Sequence, residues 1–474
     1  MNFNSLQYYL FLPIVIVLYY ILPVKLRNPL LLIASYFFYM CWQPAYALLM
    51  LTSTAITYFC GICISRYPER KKIWLATSLI LNLAILFFFK YFNFVASLIT
   101  DILSAANLNV TAPSLDVLLP VGISFYTFQA LSYVLDVHRG RGGVQVNPLK
   151  VGLYISFFPQ LIAGPIVKYE TVADQIDNRR ENWPDFSAGA CRFVVGLGKK
   201  VLIANQLAVV ADRAFQLSGQ GLASAGLAWL GAVCYTLQIY YDFSGYSDMA
   251  IGLGKMFGFH FLENFTYLAK SVTEFWRRWH ISLSTWFRDY VYFPLGGSRV
   301  KSPWRHVGNL FVVWLLTGVW HGANWTFLCW GLLYFVLLVL EKFAGLGRGW
   351  PACLRWLFTM LMVNFAWVLF RADDLGAAGQ FLAAMFNFGA QPDPLDRAGY
   401  YLRQYAVVLL FAALFAFPVA RWLSVRVGDY LRRYAAHVLP MWGAVYSLTL
   451  LTVLLAAAAY LVKGTYNPFI YFNF

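Results

Sequence analysis

"ALLMLTSTAITYFCGICI", residues 47–64, runs for eighteen positions without a charged side chain. At 1.5 Å per residue, a helix of that length crosses the hydrocarbon core of a bilayer. Apolar runs of helix-spanning length recur along the chain, and the pattern predicts an all-α polytopic membrane protein. The runs are continuous rather than alternating, which argues against a β-barrel. Composition agrees: of 474 residues, 60% are hydrophobic and only 12% are charged, against about 25% charged in soluble domains. The first run, "LQYYLFLPIVIVLYYIL" (6–22), has no basic residue before it and no small-residue cleavage site after it. It is expected to be a retained span rather than a cleaved signal.

The formal net charge of +15 sits mainly at the ends of apolar runs. Basic residues there anchor cytoplasmic loops beside anionic lipid, so the charge points to a membrane surface and not to nucleic acid. Lys25 and Arg27 follow the first run, "SRYPERKK" the third and "DVHRGRGGVQVNPLK" the fifth, while "DILSAANLNVTAPSLD" has no Lys or Arg. This alternation places the N-terminus outside. Arg421, Arg426, Arg432 and Arg433 mark a later cytoplasmic loop. The last span, about 441–462, then runs outward and leaves the tail "KGTYNPFIYFNF" outside. Pro159, Gly164 and Pro165 interrupt an apolar stretch, as in a re-entrant or kinked element buried in protein. About eleven spans with one or two re-entrant or interfacial pieces are expected. Lys199 and Lys200 are placed near the cytoplasmic face.

Seven cysteines all lie in or beside apolar runs. Cys60 and Cys63 form a C-x-x-C, but inside the quoted run and without a second pair, so they read as small packing residues. Six histidines are scattered at 138, 260, 280, 306, 321 and 437. No metal set, P-loop, G-x-S-x-G or H-E-x-x-H is present.

Three stretches put polar chemistry inside this apolar chain. "TEFWRRWHISLSTWFRDYVYFPLGG", 273–297, holds five charged side chains and a histidine. On a continuous helix over 274–290, Arg277, His280, Ser284 and Arg288 share one face, with Phe275, Trp279, Leu283, Trp286 and Phe287 opposite. Glu274 stands four residues before Arg278, the favourable order for an ion pair. An interfacial helix lying on lipid phosphates explains the arginines. It does not need His280 and Ser284 aligned between them, and a polar cavity with an anionic ligand does.

In "LLTGVWHGANW", 315–325, His321 sits mid-run among tryptophans. It reads equally as a structural histidine bonded to Thr317 or Asn324 and as a neutral general base for a hydroxyl. Gly318 and Gly322 form a small-residue face for close helix approach. In "LQIYYDFSGYSDMAIGLGKMFGF", 237–259, Asp248 reads as a structural acid paired with a buried cation, and Asp242 stays open between structure and function.

Together, "TEFWRRWHISLSTWFRDYVYFPLGGSR" and, 41 residues on from His280 to His321, "LLTGVWHGANWTFLCWG" resemble the membrane-bound O-acyltransferase superfamily. "PVGISFYTFQALSYVLDVHRG", "FFPQLIAGPIVKY" and "QIYYDFSGYSDMAIGLGK" are similar to further blocks of its bacterial alginate O-acetyltransferase branch. The resemblance covers nearly the whole chain. It implies one integral-membrane domain, 1–474: N-terminal spans 1–140, a catalytic core 150–345 around a central channel, C-terminal spans 350–462 and an extracytoplasmic tail 463–474. It implies acyl transfer in a bacterial inner membrane, from cytoplasmic acetyl-CoA as donor substrate to an exopolysaccharide outside, with an extracytoplasmic acetyltransferase as partner. No bound cofactor or metal is expected. His321 would be the general base and His280 would orient the thioester, with substrate binding by Arg277, Arg278, Ser284, Arg288, Asn324 and Asp242. The tail "FIYFNF" resembles an aromatic hexapeptide of this branch, and Tyr471 would be its acyl relay. Peptidoglycan O-acetylation, D-alanyl transfer to teichoic acid and lipid acylation are alternative outcomes. An exporter or flippase without covalent chemistry is the alternative of another class, and it would need a wide polar conduit.

Overall fold

The computed structural model describes residues 5–108, 111–266, 269–389 and 396–464, together with Tyr466 and Pro468. Among them every regular element is helical. Six helices are long and apolar enough to cross a membrane: Pro44–Arg66, Pro68–Lys90, Trp183–Gly219, Trp325–Ala344, Ala352–Arg371 and Ala436–Val462. A seventh crossing results if Ala398–Gln404 and Ala406–Phe415, bent by 66°, form one span. Among the described residues, length and composition alone therefore do not confirm the expected eleven. The first run folds as Leu6–Ile21, only 16 residues, where a crossing takes about 17–25. The helix Ala225–Met256 is long enough, at 32 residues, but is interrupted by Asp242, Asp248 and Lys255.

Small residues set the closest helix contacts. A Cβ on Gly196 would meet the Gly245 carbonyl at 2.5 Å, and one on Gly189 the Gly252 carbonyl at 2.5 Å. Only glycine lets the Trp183–Gly219 and Ala225–Met256 backbones come this near. That approach aligns their charges. Asp248 accepts from Arg192 (2.9 Å) and Lys199 (2.6 Å), and Asp242 pairs with Lys200. The structural reading of Asp248 holds. Lys200, in a π-helical turn over Lys199–Ala204, lies in the middle of a crossing helix and is buried. Neither lysine is left as a loop anchor.

The broken apolar stretch folds as two short helices, Pro148–Ser156 and Phe158–Leu161, buried from Val151 onward. It packs beside Gly122, which has a left-handed φ of 75° and whose added Cβ would meet the Leu161 carbonyl at 2.6 Å. Non-helical backbone at this depth is therefore covered by protein.

Candidate functional site

The charged stretch does not form one helix. Val272–Arg278 ends at Trp279, His280 takes a left-handed conformation (φ 45°, ψ 54°), and Ile281–Phe287 begins anew. A left-handed non-glycine residue is strained, and such strain clusters at functional sites. The turn breaks the expected face. His280 is buried (1% exposed), whereas Arg277 is exposed. Arg278 pairs with Glu274 at 2.6 Å as the spacing foretold, and Arg288 pairs with its neighbour Asp289 at 2.8 Å. Ser284 donates to the Trp276 carbonyl (3.1 Å). The apolar side is as expected: Phe275, Trp279, Leu283, Trp286 and Phe287 are all buried.

Asn264, which the sequence reading missed, organises the turn. Its Oδ1 accepts from the Ser282 amide (3.0 Å) and hydroxyl (2.9 Å), and its Nδ2 donates to Ser247 (3.0 Å). The amide orientation is thereby fixed. His280 Nδ1 lies 3.4 Å from the same Oδ1, which can only accept. The ring proton therefore belongs on Nδ1, leaving the Nε2 lone pair available. No described residue bonds that Nε2. Asn264 lies in a stretch without periodicity, so no local signal marked it.

A second set of contacts seats this arm. The Ile166 amide donates to Ser282 Oγ (3.0 Å), and Lys168 Nζ reaches Asp289 (2.8 Å) and Glu170 (2.6 Å). Trp286 stacks on Phe128 with centroids 3.8 Å apart and donates to Ser132 Oγ (2.9 Å). Tyr290 donates to Asp136 (2.7 Å). Burial of Asp289 disfavours its charge, but hydrogen bonds from Arg288 and Lys168 outweigh this and hold its carboxyl below the usual range.

His321 ends the helix Pro303–His321 and is 5% exposed. Its ring is boxed by Trp320 (4.9 Å between centroids), Trp330 (4.9 Å) and Phe370 (5.1 Å). Neither ring nitrogen has a hydrogen-bond partner among the described residues. The structural partners considered from sequence are engaged elsewhere. Thr317 donates to the Val313 carbonyl (2.7 Å). Asn324 caps the Trp325–Val339 helix through the Thr326 amide (3.1 Å) and donates to the Asp373 carbonyl (2.7 Å). Gly318 does serve close approach: its added Cβ would meet the Phe327 carbonyl at 2.6 Å.

Lys90 is the other residue missed. Its Nζ donates to the carbonyls of Trp320 (2.6 Å) and His321 (3.2 Å) and to Ser124 Oγ (3.1 Å). It thus satisfies the carbonyls that a helix end leaves open. A lysine at the end of "AILFFFK" was an intramembrane ionisable group and could have been flagged as such. Lys90, His321, Trp320 and residues 119–125 line a cleft of about 30 Å³, room for about one water.

Further buried polar atoms continue from the histidine. Trp330 Nε1, Trp276 Nε1 and Tyr334 Oη have no partner among the described residues. Their rings touch in series, Trp276 to Trp330 at 5.5 Å and Trp276 to Tyr334 at 4.9 Å. More than about 90% of buried polar groups are satisfied in proteins, so this contiguous set is unusual, although further buried polar atoms without partners occur elsewhere among the described residues.

The tail reaches the core from another side. Tyr466 donates to Asp212 (2.5 Å), which also accepts from Arg371 (2.8 Å). Lys200, besides Asp242, donates to the Pro468 carbonyl. Asp242 is followed by Phe243, whose ring meets His280 edge-on at 4.5 Å. Asp242 thus holds the lysine that holds the tail. Tyr471 lies outside the described residues. Among the described residues no group of three or more His, Cys, Asp or Glu is placed to hold a metal ion.

Residues 36–371 match the MBOAT, membrane-bound O-acyltransferase, family model. The chain is 41% identical to a probable alginate O-acetylase of Pseudomonas putida, over 98% of each chain. It is 37% identical to a peptidoglycan O-acetyltransferase of Helicobacter pylori, over 81% of this chain and 79% of the relative. To a teichoic acid D-alanyltransferase of Bacillus subtilis it is 27% identical, over 50% of this chain and 62% of the relative.

Proposed function

The chain belongs to the membrane-bound O-acyltransferase family, and on that premise we propose that it moves an acetyl group from cytoplasmic acetyl-CoA across the bacterial inner membrane for O-acetylation of an extracellular polysaccharide such as alginate. The polysaccharide is taken from the relatives at 41–44% identity. The single observation that carries the chemistry is the unpartnered imidazole of His321 in its aromatic box, beside the cleft it shares with Lys90.

In the proposed step, His321 takes the proton of an attacking hydroxyl. The new O–C bond forms at the thioester carbonyl, the C–S bond breaks, and the proton passes to the departing thiolate. His280, fixed by Asn264 with Nε2 free, orients the thioester end. The alternation of loops with and without Lys or Arg supports termini on the outer side. Tyr471 follows Pro468 by three residues, at most about 10 Å of extended chain. Anchoring of Pro468 by Lys200 therefore supports a tail hydroxyl acting as first acceptor, from which an extracytoplasmic acetyltransferase passes the group on.

An exporter is disfavoured by the relatives, which are named as acetyl- and alanyltransferases. Peptidoglycan acetylation remains the second reading within the chemistry, favoured by the 37% identity to the peptidoglycan enzyme. The test is incubation of purified protein with labelled acetyl-CoA. Label on Tyr471, lost in Tyr471→Phe, is expected; product acetylation that persists unchanged in Tyr471→Phe would refute the relay.

A further inference from the structure

A cleft of about 440 Å³ lies at the end of the histidine arm opposite His280, between the start of Val272–Arg278 and residues 341–359. Its volume falls within the range of small-molecule sites, about 300–1,000 Å³. Lys270, Lys342, Arg348 and Arg355 line it. None of the four forms an ion pair among the described residues, and Arg355 Nε is buried without a hydrogen-bond partner there. One acid is present, Glu341, and it is already engaged. Its carboxylate accepts from the Val272 amide (2.6 Å) and from the Thr273 amide (2.8 Å) and hydroxyl (2.7 Å). The cleft therefore has an excess of positive charge, four cations to one carboxylate, and that carboxylate is bonded to Val272 and Thr273 rather than paired with any of the four.

Like charges gathered in excess of their counter-charge are held at a cost that a bound anion reduces. The arginines suit phosphate oxygens, which they bind in a bidentate fork. Trp350, 41% exposed, adds an aromatic face on the same wall, edge-on to Phe358 at 5.6 Å. Cations beside an available ring suit a phosphorylated nucleoside better than a lipid headgroup, which offers no base to stack. The cleft is also joined to the reaction centre. Val272–Arg278 runs from it to the His280 turn, seven residues or about 10 Å of helix.

We propose that this cleft binds the phosphorylated nucleoside end of the acyl donor, with Arg348 and Arg355 on the phosphates and Trp350 against the base. The site rests on the donor reading above, and it relocates phosphate recognition away from Arg278 and Arg288, which are occupied by Glu274 and Asp289.

The experiment uses the full chain in detergent, with coenzyme A and 3′,5′-adenosine bisphosphate as probes. Arg348→Gln/Arg355→Gln is expected to weaken coenzyme A binding at least tenfold, since hydrogen bonds to charged groups are each worth about tenfold or more. Thermal midpoint should be unchanged, and the loss should fall on KM for acetyl-CoA rather than on kcat. Adenosine bisphosphate, which lacks the thioester arm, should compete with coenzyme A on the unmodified protein and not on the double variant. Unchanged coenzyme A affinity and KM in the double variant, with transfer from acetyl-CoA intact, would overturn the cleft while leaving the donor reading standing. Failure of the unmodified protein to bind coenzyme A or to transfer from acetyl-CoA would overturn both. Loss of co-purified phosphatidylglycerol without a change in coenzyme A affinity would make it a lipid site and overturn the assignment.

Discussion

His280 and His321 come from separate helices and meet at one indole: Trp320 lies 6.0 Å from the first ring and 4.9 Å from the second, centroid to centroid. Neither is exposed, and each keeps at least one ring nitrogen without a partner among the described residues. Buried imidazole nitrogens left without partners, Nε2 of His280 and both of His321, are costly unless something else uses them.

Asn264 sets the direction of the first imidazole. Asn264→Ala leaves His280 Nδ1 and Ser282 without their acceptor, a loss of about 1–3 kcal/mol. The expected result is a fall in kcat of roughly 5- to 150-fold. Asn264→Asp keeps the acceptor oxygen and should retain more activity than Ala. Equal loss in the two variants, measured on folded protein, would count against a positioning role.

Lys90 closes the helix that carries the second. Lys90→Met removes three donated bonds, two of them to the terminal carbonyls of that helix. Stability should fall by about 1–3 kcal/mol, read as a lower thermal midpoint, with turnover falling alongside it. A midpoint equal to that of the unmodified chain would contradict the capping role.

The buried pair Lys200 and Asp242 gives an asymmetric prediction. Their side chains are 4% and 2% exposed. Lys200→Met strands a buried carboxylate and should cost about 3–5 kcal/mol, whereas Lys200→Met/Asp242→Leu should recover most of that. Neither variant can hold Pro468, so both should lose acetylation that depends on the tail. Full activity in the stable double variant would show that the tail does not need this anchor.

The Lys168–Asp289 tie predicts a pH window. Asp289 has a depressed folded pKa, so its contribution is present above the ordinary carboxylate range, about pH 4, and is lost as pH falls through the folded value. Burial disfavours the Lys168 charge, but the hydrogen bonds it donates to Asp289 and Glu170 outweigh this and raise the pKa. Its contribution is therefore full below about pH 10 and is lost as pH rises through the folded value. The thermal midpoint should owe a constant increment to this pair between about pH 5 and 9. Asp289→Asn should lower the midpoint across that window and less so under acid. A uniform offset down to pH 2 would contradict the linkage.

Local spacing made part of this legible. Glu274 and Arg278 are four residues apart and meet as expected, and Gly318 provides the close approach that its small-residue pattern announced. What was hidden is non-local or conformational. Helical periodicity continues through His280, so the left-handed turn has no signature in a residue that is not glycine. Asp248 was read as a paired acid, yet its partner Arg192 stands 56 positions away and only the glycine contacts bring it near. The count of eleven spans is not confirmed, because hydropathy alone does not distinguish a full crossing from a short apolar helix buried beside one.

The most direct test concerns His321 itself. Transfer of labelled acetyl from acetyl-CoA should be compared for the full chain, His321→Ala and His321→Gln, with thermal midpoint and coenzyme A affinity measured on the same preparations. Transfer at background in both variants, with midpoint and affinity retained, is the result expected of a base at the reacting atoms. Substantial turnover in a folded His321→Ala protein would contradict it.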